Sequence, residues 1–399
     1  TVSFDRLRMR IEGSQNWFSL DGQLRIDENE VVGLQKLLQL YAAGGSRFVQ
    51  IGEGEFIALT EDFRRRLNDI YSFSESQHGQ LRVHQLAIPA LEDALADQPN
   101  IVFDERWRKV LQRLKNADKL EFSVPTTLTA DLREYQIEAF RWLCRMDYLG
   151  MGACLADDMG LGKTVEALAL LVHKAAKGPA LVVAPTSVCM NWFEEAHRFA
   201  PTLNPVIFAQ SQRRETLAAL GAFDLVICSY GIMQREIEML AEIKWETVIL
   251  DEAQAIKNMA TVRSKAAMAL QGNFRLIMTG TPIENHLGEL WNLFRFINPG
   301  LLGSVESFNA RFANPIQSGG DKFVQRQLKR LLQPFVMRRT KNQVLQDLPP
   351  RTEIMLRVEL SKDETALYES MRRQAVSRLS DIDAAAGQKH IMILAELMK

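Results

Sequence analysis

The sequence predicts an α/β protein whose larger part is a doubly wound parallel sheet, and three observations predict it. From about residue 122, short and nearly continuous apolar runs (152–156, 180–184, 225–228, 247–250 and 275–278) alternate with stretches of helical periodicity. Runs of this kind are strands buried on both faces by crossover helices. The first run leads straight into a glycine-rich turn and a helix, and the fourth ends in a pair of carboxylates, Asp251-Glu252. In open parallel sheets ligands gather beyond the carboxyl ends of the strands, so those two turns are where chemistry is expected.

Ahead of the sheet, residues 1–121 read as a small α+β domain. Trp17, Phe18 and Leu20, then Asp21-Gly22, then Leu24 and Ile26 predict a hairpin with a two-residue turn at Asp21-Gly22. Leu34, Leu37, Leu38 and Tyr41 predict a helix stopped by Gly44-Gly45. A second hairpin is expected across Gly52-Glu53-Gly54, with Phe48, Val49 and Ile51 facing Phe56, Ile57 and Leu59. Helical spacing then predicts helices at 60–72, 83–97 and 104–116. The first hundred residues carry 10 Lys and Arg against 15 Asp and Glu, a net of −5, which argues against nucleic-acid affinity here and for protein contacts.

Composition excludes several classes. With 47% hydrophobic and 24% charged residues, the 399-residue chain is neither collagenous, coiled-coil nor largely disordered. No apolar stretch approaches the length of a membrane span and no basic-then-apolar leader is visible, so no membrane partner is expected. Four cysteines (Cys144, Cys154, Cys189 and Cys228) are too widely spaced for a C-x-x-C pair, so neither structural zinc nor a disulfide framework is expected, and a reducing cytoplasm fits. The chain opens at Thr1 and stops inside an apolar-periodic run (Ile391, Leu394, Ala395, Met398), and so reads as a piece of something longer.

The turn after the first run is Asp157-Asp158-Met159-Gly160-Leu161-Gly162-Lys163-Thr164. Phosphate binding needs small residues so that backbone N–H groups can approach, a lysine for the β- and γ-phosphates, and a hydroxyl for Mg²⁺. Gly160, Gly162, Lys163 and Thr164 supply all three, although Asp157 stands where the strict pattern G-x-x-x-x-G-K-[ST] begins with glycine. Asp251, leaving a buried strand 88 residues after Lys163, can hold Mg²⁺, and Glu252 can orient the attacking water. Thr279-Gly280-Thr281-Pro282 follow the fifth run at the same edge; these hydroxyls either couple phosphate state to movement or cap the next helix.

Taken in order, these segments resemble the SWI/SNF-type branch of the superfamily-two helicase-like ATPases, in its bacterial form, from about residue 128 to 399. Leu132-Arg133-Glu134-Tyr135-Gln136 is similar to the family's adenine-reading segment, with Gln136 as the adenine contact and Glu134 where the family usually has proline. Asp158, Met159, Gly160, Leu161, Gly162, Lys163 and Thr164 resemble its phosphate loop, in which Asp at the first glycine position is usual. Ala184-Pro185-Thr186-Ser187 with Asn191-Trp192, Ser229-Tyr230, the box 251–258 (with Gln254 where many relatives have His), the box 279–285, and Pro334-Phe335 through Arg338-Arg339-Thr340-Lys341 resemble its further motifs.

The resemblance implies a RecA-like lobe at 122–302, a helical basic protrusion at 303–350, and the start of a second RecA-like lobe at 351–399, opened by a strand through Ile354, Leu356, Val358 and Leu360. It implies an ATP hydrolase using ATP and Mg²⁺ that translocates on double-stranded DNA and remodels protein–DNA complexes. Lys163, Asp251 and Glu252 would be catalytic, Thr164 and Asp251 would hold Mg²⁺, and Thr279, Gly280 and Thr281 would couple. Ser187, Asn191, Trp192, Ser229, Tyr230, Lys257, Asn258, Arg338 and Arg339 would track DNA, although Asn191, Trp192 and Tyr230 serve equally well as packing residues. Residues 321–341 hold seven basic side chains and one acid, a local +6 that marks the clearest polyanion surface or else a solvated amphipathic helix. With most of the second lobe lying beyond residue 399, the chain is expected to bind nucleotide but hydrolyse it slowly. The competing readings are a strand-separating DNA or RNA helicase, an ATP-switched regulator docking on RNA polymerase or another DNA-bound protein through the first domain, and a defence-complex subunit. A bacterial cytoplasmic, nucleoid-associated location is expected.

Overall fold

The computed structural model describes residues 1–27, 30–44, 47–52, 54–77, 79–95, 98–208, 213–280, 287–344 and 361–380. Thr281 and the strand expected over 354–360 lie outside them. Residues 1–346 form one compact unit and 347–399 a second.

The chain begins with an alternating strand, β1 (Leu7–Ser14), that buries Leu7, Met9 and Ile11 and exposes Arg8, Arg10 and Glu12. It turns at Gln15-Asn16 into β2 (Trp17–Arg25). The hairpin is therefore one strand earlier than the sequence predicts. Asp21 and Gly22 pair with Arg10 and Met9 inside the ladder, and the turn falls at Gln15, whose φ is 51°. Gly22 is small because a Cβ there would stand 3.1 Å from the Arg8 carbonyl oxygen, not because the chain turns. Then follow β3 (Val31–Gly33), α1 (Leu34–Gly44) and the expected hairpin β4 (Phe48–Gly52) and β5 (Glu55–Ala58). Next come α2 (Glu61–Phe73), β6 (Ser74–Gln77), β7 (Gln80–His84), α3 (Ile88–Leu95), β8 (Ile101–Phe103) and α4 (Glu105–Ala117). The helix expected at 83–97 is shorter, because Leu81 and Val83 alternate inward as a strand and Pro89 sits in the first turn that follows. The sheet runs β6-β7-β2-β1-β8, with β3 on β2. Trp107 of α4 packs on it, 5.1 Å from the Phe18 ring and 5.5 Å from the Phe103 ring.

The remainder of the first unit carries a seven-stranded sheet. Its strands are β9 (Ala153–Leu155), β10 (Ala180–Ala184), β11 (Asn204–Ile207), β12 (Asp224–Ser229), β13 (Lys244–Asp251), β14 (Gln271–Met278) and β15 (Val336–Met337). The interleaved helices are α5 (Glu134–Leu149), α6 (Lys163–Lys174), α7 (Thr186–Phe199), α8 (Arg213–Ala218), α9 (Tyr230–Arg235), α10 (Ile237–Glu242), α11 (Val262–Ala269) and α12 (Leu287–Ile297). The order is β11-β12-β10-β13-β14-β9-β15 and every pairing is parallel. The α/β doubly wound expectation holds, and the five apolar runs are five of these strands, buried from end to end in β9 and β10. Because all strands point the same way, their carboxyl ends open on one edge. Register aligns Asp251 with Met278, Met278 with Leu155, and Leu155 with Met337, so one row of residues marks that edge.

After α12 come α13 (Val305–Phe308), a π turn (Asn309–Ala313), α14 (Asn314–Gly319), α15 (Lys322–Leu332), β15 and α16 (Lys341–Val344). These helices rest on α2 and β6. Arg330 pairs with Asp69 at 2.7 Å, the Ser72 hydroxyl donates to Gln327, and Arg311 donates to the Ser72 and Ser74 carbonyls at 3.1 and 2.9 Å. In the second unit, Ser361 and Glu364 close a reciprocal capping box at the start of α17 (Lys362–Ser380).

Candidate nucleotide-binding site

The phosphate-loop candidate sits between β9 and α6, at the carboxyl edge of the sheet. Gly160 and Gly162 have φ of +85° and +87°, values that a side chain resists and that glycine adopts freely. A Cβ on Gly162 would lie 2.4 Å from Gln136 Nε2, so the loop passes directly beneath that amide. Gln136 Nε2 and the Tyr135 hydroxyl both donate to the Leu161 carbonyl, at 3.1 and 3.0 Å. Lys163 opens α6, and its Nζ donates to the carbonyls of Asp157 (2.7 Å) and Asp158 (3.3 Å), which holds the ammonium over the loop. Thr164 follows in the first helical turn, half-buried. The adenine-reading and phosphate-loop candidates are thus brought together.

Asp251 ends β13 with its side chain buried. Its Oδ2 accepts from Trp192 Nε1 at 2.9 Å, its Oδ1 from the Glu252 backbone at 2.9 Å, and its carbonyl from the Tyr230 hydroxyl at 2.8 Å. Burial pushes this carboxyl above the usual carboxylate range, opposed by the Trp192 bond. A divalent cation beside it would reverse that shift, so the donor set of Asp251 and the Thr164 hydroxyl suits Mg²⁺. Strand spacing of about 4.8 Å, with β14 between, places β13 about 10 Å from β9, a span that phosphates and a metal can bridge. Glu252 adopts φ 48°, which turns its side chain sharply away from the strand direction. Gln254 Nε2 donates to Glu252 at 2.8 Å and its Oε1 accepts from the Thr279 hydroxyl at 3.1 Å. A continuous hydrogen-bonded path therefore joins the Asp-Glu box to the residue that follows β14. Gly280 follows Thr279 there, with Met159 3.4 Å from where its Cβ would be.

The structure redistributes the candidates for DNA contact. Trp192 is fully buried and occupied with Asp251; Tyr230 is buried and bonded to the same residue's carbonyl; Ser229 is buried and its hydroxyl caps α9 by accepting from Ile232 N at 3.3 Å. Trp192 and Tyr230 back the carboxylate and Ser229 caps a helix, instead of facing outward. Ser187, Asn191 and Asn258 are exposed, Lys257 is half-buried and pairs with Glu289 at 3.4 Å, and Arg338 is exposed. Arg339 is not on an outer face. Its backbone N–H and Nε donate to the Asp157 carboxylate at 2.8 and 3.0 Å, its NH2 group to Asp157 and to Glu166 (3.0 Å), and its NH1 group to the Tyr135 carbonyl. Of the seven basic residues at 321–341, Arg330 and Arg339 are thus committed internally. Lys322, Arg326, Lys329, Arg338 and Lys341 remain exposed.

Sequence reasoning missed this ion cluster. Asp157 and Glu166 are wholly buried, and burial pushes the Glu166 carboxyl up to about 8 despite the adjacent guanidinium. The available signal was Asp157 itself, since a carboxylate in a glycine position beneath a phosphate loop demands a cation. Trp192 as the partner of Asp251 and Gln254 as the bridge to Thr279 carried no signal in local spacing.

Comparison with known proteins is consistent across three levels. The sequence profile of the SNF2-related domain matches residues 135–399. A putative ATP-dependent helicase/translocase, YwqA of Bacillus subtilis, is 32% identical over 95% of this chain and 43% of its own length. The ISWI chromatin-remodeling complex ATPase CHR11 of Arabidopsis thaliana is 34% identical over 68% of this chain and 26% of its own. The SWI2/SNF2 ATPase core of Sulfolobus solfataricus, solved in complex with dsDNA, superposes with a TM-score of 0.53 at 37% identity, covering 69% of this chain and 59% of that one. The chain therefore spans under half the length of these two curated relatives.

Proposed function

We propose that this chain, which belongs to the SNF2-related family, is the ATP-binding part of a DNA-dependent ATPase that moves along double-stranded DNA and remodels protein–DNA complexes. The observation that carries the reading is the single edge of a parallel sheet to which Lys163, Thr164, Asp251, Glu252 and Thr279 are all delivered. In this reading Lys163 neutralises the β- and γ-phosphates, and Asp158, Met159, Gly160, Leu161 and Gly162 present backbone N–H groups to them. Gln136 reads the adenine. Thr164 and Asp251 would hold Mg²⁺, which when bound supplies positive charge at the phosphate oxygens. Glu252 positions the attacking water, and Gln254 passes a change in its orientation to Thr279, Gly280 and Thr281. Trp192 and Tyr230 keep Asp251 aimed.

The double-stranded polymer is inferred from the archaeal relative, which was solved with dsDNA. In this chain the exposed Ser187, Asn191, Asn258 and Arg338, with Lys257 beside them in sequence, are the residues assigned to it. We divide the chain at 1–121 (accessory domain), 122–302 (RecA-like lobe), 303–350 (protrusion) and 351–399 (start of a second lobe). Catalysis of phosphoryl transfer depends on charge stabilisation at the γ-phosphate from a second element. The isolated 399-residue polypeptide is accordingly expected to bind ADP and ATP and to turn over slowly. The test is hydrolysis by the isolated chain and by the full-length protein, with and without duplex DNA. Brisk duplex-stimulated turnover by the isolated chain would refute the division of labour.

A further inference from the structure

The segment leaving the protrusion runs along the phosphate loop as closely as a sheet strand does. The Ala156 N–H donates to the Met337 carbonyl at 2.7 Å and the Asp158 N–H to the Arg339 carbonyl at 3.0 Å, while the Lys341 N–H donates to the Asp158 carboxylate at 3.0 Å. Lys341 also carries its Nζ to 3.7 Å from where a Cβ of Gly160 would stand. Arg339, at the middle of this segment, reaches inward and ties together three elements that build the nucleotide site. Asp157 lies two residues past β9, Glu166 lies in the first turn of α6, and Tyr135 lies in the first turn of α5 beside Gln136. The guanidinium also lies 5.2 Å from the Tyr135 ring centre, and the Tyr135 hydroxyl holds Leu161 in the loop.

From this geometry we infer that Arg339 is a positioning residue of the nucleotide site, a clamp that holds the phosphate loop and the adenine-reading segment in their binding geometry. Two positive-φ glycines leave the loop few side chains to fix its path, chiefly the buried Leu161, so contacts from behind hold it in place. In a strict phosphate loop the first position is glycine; here it is a buried carboxylate, and Arg339 supplies its forked counter-ion. A lysine could match the charge but not the fork, which engages Asp157, Glu166 and Tyr135 together. Because the clamp belongs to the segment that follows α15, it also makes the loop's order depend on a part of the chain more than 170 residues away in sequence. The inference deepens the nucleotide-site reading above and rests on it for the ligand, though not for the mechanical link.

Two measurements on the 399-residue chain separate the two. Hydrogen exchange compares wild type with Arg339→Gln and Arg339→Lys, and binding of a fluorescent ADP with Mg²⁺ is titrated on the same proteins. The clamp predicts faster exchange confined to peptides covering 134–137 and 156–163 in both variants. It predicts ADP binding weaker by tenfold or more in Arg339→Gln, with part of the loss recovered in Arg339→Lys. Asp157→Asn combined with Arg339→Gln should bind no more weakly than the worse single variant, since both cut one contact. Unchanged exchange in the loop, wild-type ADP affinity in Arg339→Gln, or fully additive losses in the double variant would overturn the clamp. If Arg339→Gln does not fold, Arg339→Lys decides: threefold or greater weakening with an unchanged melting temperature supports it, and wild-type affinity overturns it. If the wild type binds no ADP, the nucleotide reading falls, and the exchange result alone decides whether Arg339 clamps the loop.

Discussion

Replacing Lys163 by alanine separates the site's chemistry from its architecture. In the structure the Lys163 ammonium makes one good hydrogen bond, 2.7 Å to the Asp157 carbonyl, and one long one, 3.3 Å to the Asp158 carbonyl. Both acceptors are backbone carbonyls, one in the wholly buried Asp157 and one in the half-buried Asp158, and a net hydrogen bond contributes about 1 kcal/mol. The fold should therefore lose no more than about 2 kcal/mol, a minor part of the roughly 5–15 kcal/mol that stabilises a domain. Nucleotide binding stands to lose more. A charge-assisted contact from Nζ to phosphate contributes about 1.5–3 kcal/mol, which converts to a loss of about 12- to 150-fold in affinity. Titration of fluorescent ADP with Mg²⁺, alongside a urea melt of the same protein, reads both numbers. An alanine variant that binds ADP as the wild type does, or one that fails to fold, would show that the loop between β9 and α6 has been misread.

Two further outcomes are expected. Trp192→Phe removes the indole N–H that Asp251 Oδ2 accepts inside a fully buried site, and should cost about 2–3 kcal/mol of stability in a urea melt, whereas the exposed Asn191→Ala should stay within about 0.5 kcal/mol; wild-type stability in Trp192→Phe, with loss only of DNA binding, would return Trp192 to the DNA surface. Burial of His84, with a smaller effect of Arg82, lowers its pKa to about 4, so the unfolded chain, at about 6.5, takes the proton first and stability falls as pH drops from 6.5 toward 4. Between pH 8 and pH 5 the loss from this one group is about 2 kcal/mol. The protonated ring could no longer accept the Leu86 N–H at Nδ1 (3.3 Å), and its Nε2 faces Gly300 across the junction with the RecA-like part. Urea melts at the two pH values check this, and a His84→Asn variant with the same pH dependence as wild type would refute it.

What the sequence revealed and what it hid follow one physical distinction. The buried parallel strands were legible because both faces are covered, which makes Leu181–Val183 and Val248–Leu250 continuous apolar runs that nothing local disguises. β1 was not, since Arg8, Arg10 and Glu12 on its open face break the apolar run, and Asp21-Gly22 mimics a turn while lying in a ladder. β11 is a four-residue edge strand and β15 has two residues, too short for any period to declare itself. At the site, Lys163, Thr164, Asp251 and Glu252 were legible because they sit at the end of a strand or at the start of the helix after one, and local order encodes that. The contacts that hold them were not legible, because Arg339 meets Asp157, and Trp192 meets Asp251, only through the sheet's crossover topology. The same is true of charge: the basic run at 321–341 reads as one surface, yet Arg330 and Arg339 turn inward to partners in other parts of the fold.

In the proposed function this nucleotide site drives movement on duplex DNA. The most direct test is ATP hydrolysis by the full-length protein, titrated with double-stranded and with single-stranded DNA of equal length. Turnover should be stimulated at least tenfold by duplex, little by single strands, and abolished by Lys163→Ala. Turnover indifferent to DNA, or stimulated preferentially by single strands, would contradict that function.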